Sequence, residues 1–175
     1  MGKKEWAKKP RRRELYTVYR RTGATVAIES DNSRDALFRA AINTAFNAAA
    51  GTSTAFLSPT DIPLFLASLA AAIRIPSPRA LTMVLAALAA RTRSSFLQAW
   101  ALVKQNRRSE AEEELQGLGS IAATVPPPAN SAEMEMVAAG LSQRISHGER
   151  EELLWVYCRA GGKETRDVMA RALGL

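Results

Sequence analysis

From residue 30 onward the apolar residues of this chain recur every three or four positions and are drawn mainly from alanine and leucine, a pattern that restricts the fold more than any motif does. Leu37, Ala41 and Ala45 fall on one line of a helix, and Phe38, Ile42 and Phe46 on the line beside it. Arg34, Arg39, Asn43 and Asn47 fall on the other side. Rows of this spacing make an apolar stripe down one face of an α-helix. Alanine and leucine are strong helix formers, whereas the aromatic residues that favour sheets make up only 6% of the chain. With 47% hydrophobic residues there is enough material for a packed core. The expected fold is mainly α, a bundle of about six to seven helices.

Capping and breaking residues divide the stretch. Ser30-Asp31-Asn32-Ser33 offers N-caps for a first helix, which Gly51 closes. Ser58-Pro59-Thr60-Asp61 starts a second, with Pro63 tolerated in its first turn. Ile62 to Ile73 is apolar almost all round, which predicts a central position. Pro76-Ser77-Pro78 stops that helix. A long helical stretch follows through Leu81, Val84, Leu85, Leu88, Leu97, Trp100 and Ala101, with a break expected at Thr92–Ser95 and Ser94 recapping the chain. Ser109 and Glu112 have capping-box spacing and open a short acidic helix that ends near Gly117. Residues 118–130 read as a loop, since Pro126-Pro127-Pro128 cannot lie inside a helix. The pairs Asn130/Glu133 and Ser146/Glu149 introduce helices at 131–145 and 147–160, Gly161-Gly162 ends the second, and a last helix runs from Lys163 to Leu173.

The first 29 residues differ in kind. Leu15-Tyr16-Thr17-Val18-Tyr19 and Ala24-Thr25-Val26-Ala27-Ile28 are rich in β-branched and aromatic residues, and Arg20-Arg21-Thr22-Gly23 lies between them. That arrangement predicts a small β-hairpin over 15–29 with two arginines at its tip, needing a surface to pack on. Residues 1–14 read as an extended basic arm, because blocks of like charge repel. The organisation expected is therefore arm (1–14), hairpin (15–29), main helical core (30–117), Pro-rich loop (118–130) and C-terminal helical subdomain (131–175).

Charge is concentrated at the front. Residues 1–21 hold nine basic residues (Lys3, Lys4, Lys8, Lys9, Arg11, Arg12, Arg13, Arg20, Arg21) against Glu5 and Glu14, which accounts for the whole net charge of +7. The remainder is neutral but polarised. Residues 22–109 carry nine basic residues against four acidic, and residues 110–175 carry six against eleven. The acidic end either solvates one end of the bundle or faces the basic front of a neighbouring copy, a heterologous contact of the kind that builds rings or filaments.

Little points to catalysis. His147 is the sole histidine and sits beside a helix start, and no G-x-S-x-G elbow accompanies it. Cys158, the sole cysteine, lies in an apolar run and reads as a structural residue; it excludes an intrachain disulfide and a cysteine-built zinc cage. Glu112-Glu113-Glu114 reads as a solvated helix surface, because adjacent helical residues do not share a face. There is no Walker loop, G-x-G-x-x-G, H-E-x-x-H or EF-hand pattern, and no cofactor is implied. The two most apolar runs fall short of the ~20 residues a membrane span needs, and no apolar segment follows the basic start as a signal peptide would require. Expected locations are the cytoplasm, a nucleoprotein particle or a virion.

Lysines and arginines neutralise phosphates with little sequence preference, and aromatic rings among them stack on bases. The arm residues Lys3, Lys4, Lys8, Lys9, Arg11, Arg12, Arg13, Arg20 and Arg21, with Trp6, Tyr16 and Tyr19 between them, are the expected nucleic-acid contacts. Arg91, Arg93, Lys104, Arg107 and Arg108 extend that track onto the body. The function this implies is a non-enzymatic subunit that coats or lines DNA or RNA in many copies. Viral coat and nucleocapsid proteins and the small helical subunits of RNA-guided CRISPR-type effector complexes are built on this plan. Two alternatives stand beside it. Residues 147–173 loosely suit a helix-turn-helix regulator, and the helices could serve a protein adaptor with the arm as a localisation segment.

Overall fold

The computed structural model describes residues 30–52 and 58–175, so the expected arm and hairpin lie outside the described residues. Among the described residues there are seven α-helices and no strands. Ser30 opens α1 (Asp31–Ala49) as an N-cap should, its hydroxyl accepting from the Ser33 amide at 3.2 Å. Gly51 ends it with φ of 72°, a conformation that suits glycine. A 3-10 turn over Pro59–Asp61 leads into α2 (Ile62–Ala72), and α3 (Ser77–Lys104) follows. Then come α4 (Arg108–Thr124), α5 (Ala132–Ser142), α6 (His147–Arg159), a 3-10 turn at Gly162–Thr165 and α7 (Arg166–Ala172).

The 28-residue α3 is the spine, touching α1, α2, α4, α5 and α6. It folds back on α4 as an antiparallel hairpin, whose turn holds Asn106 at φ of 58°. α1 lies beside α3 and runs in the same direction. Asp35 meets Arg79 at 2.7 Å near the start of both helices, and Asn47 lies by Arg91 three turns on. One hydrophobic cluster runs from Phe38 to Leu173 and takes residues from every helix.

Several boundaries depart from expectation. α2 is peripheral rather than central. Only Ile62, Leu66 and Ala70 are buried on it, and Leu64 is 54% exposed. Uniform apolarity does not choose which face a short helix packs, and one face here is enough. Pro63 and Leu66 join Phe38, Leu81 and Val84 in lining an apolar recess of about 260 Å³.

α3 does not break at Thr92–Ser95. No glycine or proline interrupts the chain there, and both Thr92 and Ser95 are buried. The Ser95 hydroxyl donates to Glu114 of α4 at 2.5 Å, and Ser94 bonds back to the Arg91 carbonyl at 2.9 Å instead of capping a new helix.

α4 begins at Arg108, not at a Ser109 cap, and continues through Gly117 to Thr124, so the loop before α5 is shorter than 118–130. The glycines serve close packing. A Cβ on Gly117 would stand 3.3 Å from the Cβ of Ala50, and Gly119 lies against the Tyr157 ring. The N-cap of α5 is Ser131, one residue beyond Asn130, and its hydroxyl donates to Glu133 at 2.7 Å. Ser146 and Glu149 form the capping box that their spacing predicts. The last helix starts at Arg166 rather than Lys163.

Two contacts fix the C-terminal end. Tyr157 is fully buried, its ring tilted against Phe96 at 6.1 Å and its hydroxyl 2.5 Å from that of Thr165. Burial pushes its pKa up, and the Thr165 bond opposes the shift. Arg150 is buried and donates from Nη1 to the carbonyls of Leu173 at 2.5 Å and Gly174 at 2.8 Å, tying the end of α7 to α6.

Candidate nucleic-acid interface

Twelve of the expected contacts, Lys3 through Arg21, lie outside the described residues. The five on the body fall into two groups. Lys104, at the end of α3, pairs with Glu149 of α6. Arg107 holds Glu110, with its Nε donating at 2.6 Å. Arg108 pairs with Glu152. Trp155, 48% exposed, lies between two guanidinium groups, Arg108 at 5.3 Å and Arg159 at 4.9 Å from the ring centre. Arg159 in turn meets Glu112 at 3.5 Å.

These contacts form one network across the end of α3, the start of α4 and the outer face of α6. Its cations Lys104, Arg107 and Arg108 and its acids on residues 110–152 come from the two sides of the charge polarity seen along the sequence, with Arg159 a cation of the acidic side. Folding brings part of that front and back together. A phosphate approaching Lys104, Arg107 or Arg108 would have to displace a carboxylate already in place.

The pairing also sets acidities. The Lys104 ammonium holds the Glu149 carboxyl down to about 2, helped by the Ser146 hydroxyl and amide. A lowered carboxyl pKa means that the contribution is complete above the ordinary glutamate range. It is lost only as pH falls from that range toward about 2. Arg107 likewise lowers the pKa of Glu110 through its hydrogen bond.

Arg91 and Arg93 behave differently. Among the described residues neither has an ion-pair or hydrogen-bond partner for its side chain. Arg93 is exposed and lies over Gly140 of α5. Arg91 is half-buried. It lines a recess of about 220 Å³ between α3 and α1, with Ser94 beside it and Asn43 and Asn47 opposite. Exposed Arg39 stands one turn before Asn43 on α1.

The sequence pattern put Arg39, Asn43 and Asn47 on the polar side of α1 but did not single them out as site residues. Their i, i+4, i+8 spacing was the available signal. What it lacked was the same-direction packing of α1 on α3, which brings Asn47 and Asn43 into one recess with Arg91 across 44 and 48 positions of chain.

The residues considered for catalysis sit in ordinary settings. His147 is exposed in the first turn of α6, 3.5 Å from Glu151. Cys158 is half-buried with a free thiol. Among the described residues no three His, Cys, Asp or Glu side chains group so as to hold a metal, and no helix is long and apolar enough to cross a membrane. No family model, curated protein or solved structure matches the chain.

Proposed function

We propose that this protein is a non-enzymatic subunit that coats or lines nucleic acid in a multi-copy assembly. The basic arm holds the phosphate backbone, and the helical bodies pack beside one another. Viral coat proteins and the small helical subunits of RNA-guided effector complexes work on this plan. The observation that carries the reading is the placement of charge. The whole net charge of +7 resides in residues 1–21, interleaved with Trp6, Tyr16 and Tyr19, while the rest of the chain sums to zero. On the body, Lys104, Arg107 and Arg108 are neutralised internally, which leaves Arg91 and Arg93 as the surface continuation of the arm.

The test compares the full chain with residues 22–175 on a labelled oligonucleotide, following particle size in parallel. The truncated chain should bind at least about 100-fold more weakly, since most of the phosphate-neutralising charge is gone. The full chain should grow into large particles on long strands. Equal binding by both would move the site to the body and overturn the role of the arm. Absence of binding by either would favour the adaptor. A discrete dimer with one preferred sequence would favour the regulator.

A further inference from the structure

The recess between α1 and α3 gathers donors that the protein does not use. Arg91 of α3 lines it together with Asn43 and Asn47 of α1, which lie one helical turn apart. Among the described residues none of the three side chains has a hydrogen-bond or ion-pair partner. No carboxylate lines the recess, so nothing there repels an anion, and the rest of its wall is Phe46, Ala87, Ala90 and Ser94. Arg91 is half-buried, which reduces the competition of water for its fork of N–H groups.

We propose that this recess is a seat for a phosphate group, with a phosphodiester of the strand held by the arm as its first occupant; the inference rests on the nucleic-acid reading above. A guanidinium can bind both non-bridging oxygens of a phosphodiester at once, and each of those oxygens can accept a further bond from a carboxamide. Asn43 and Ser94 are exposed, so the recess is open and a strand can pass through it. It lies twelve to sixteen residues along α1 from Asp31, or about 18–24 Å at ~1.5 Å per residue. Arg39 lies between, on the same side as Asn43, and supplies a second cation on the way from the point where the arm joins the body.

Asn47→Asp tests the seat in the full chain. It places a carboxylate beside Arg91, which then forms the ion pair that Lys104, Arg107 and Arg108 already have. Binding of a short oligothymidylate should fall about tenfold, the loss of one charge-assisted contact. Arg91→Lys keeps the charge but loses the fork and should fall between the two. Circular dichroism and the unfolding midpoint should stay close to those of the parent, since neither side chain is in the core. In a second measurement, the side-chain amide signals of Asn43 and Asn47 are followed by nuclear magnetic resonance during titration with the oligonucleotide and, separately, with inorganic pyrophosphate.

If both ligands shift the amides and Asn47→Asp weakens binding, the seat stands. If the oligonucleotide binds with parental affinity to both variants and the amides do not move, the seat is overturned while the arm-led function survives. If the oligonucleotide fails to bind but pyrophosphate moves the amides, the site takes free phosphate and the nucleic-acid function falls. If neither ligand has any effect, both fall.

Discussion

Gly162→Ala should lower the unfolding free energy by about 3 kcal/mol, at the upper end of the range for overpacking. A Cβ at this position would stand 2.2 Å from Cε1 of Tyr157, 2.3 Å from Cζ and 2.6 Å from Cδ1, so something must move. The ring has little room to do so. It is fully buried, its hydroxyl is tied to Thr165, Gly119 lies against its far edge, and Phe96 packs on it. Gly162 itself is buried in the 3-10 turn that feeds α7, so retreat of the backbone would pull that helix from the core. Urea unfolding should show a lower midpoint at unchanged slope. The cause can be isolated by a double-mutant cycle. In a Tyr157→Leu background, where no ring fills the space, the added methyl should cost less than about 1 kcal/mol. An alanine variant as stable as the parent would mean that the ring does not rest on the glycine.

Binding of the full chain to nucleic acid should collapse as salt rises. If about six to nine of the arm cations meet phosphates, the plot of log affinity against log salt has a slope of about −5 to −8 on a duplex, and about three-quarters of that on a single strand. Affinity would then drop by about 10³–10⁵ between about 50 and 200 mM salt on a duplex. Alanine at Lys104, Arg107 or Arg108 should leave the slope unchanged, because their charges are already matched by Glu149, Glu110 and Glu152. Isothermal titration or fluorescence anisotropy at four or five salt concentrations is sufficient. A slope near −1 or −2 would mean that the arm is not spread along the backbone, whatever the affinity at low salt.

Helix type and approximate extent were legible because they depend on local rules. The Ser30 cap, the Gly51 stop and the Ser146/Glu149 box are contacts within a few residues of chain, and each appears where the spacing places it. The errors arose where distant packing decides. Gly117 looks like a terminator in sequence, but Ala50 needs the space beside it, as Tyr157 does beside Gly119, and α4 runs on. The apolar length of α2 suggested burial on all sides, but α1 and α3 reach only one face of it. For the interface, the basic residues of the body were easily found. Which of them are occupied was not, because Lys104 meets Glu149 across 45 positions and Arg108 meets Glu152 across 44.

The Lys104–Glu149 contact has a polarity as well as a partner. Lys104 occupies the last turn of α3, where aligned peptide dipoles leave partial negative charge, and Glu149 occupies the first turn of α6, where they leave partial positive charge. Each side chain therefore matches its own helix end before it matches the other. Exchanging the two residues would keep a cation facing an anion, yet set both against their helix macrodipoles and remove the carboxylate that caps Ser146. The exchanged protein should unfold at lower denaturant than the parent despite retaining opposite charges at the same two positions, and part of the difference should fade in high salt. This junction can be inherited in only one orientation, so a charge reversal here would need its helices re-capped to be tolerated.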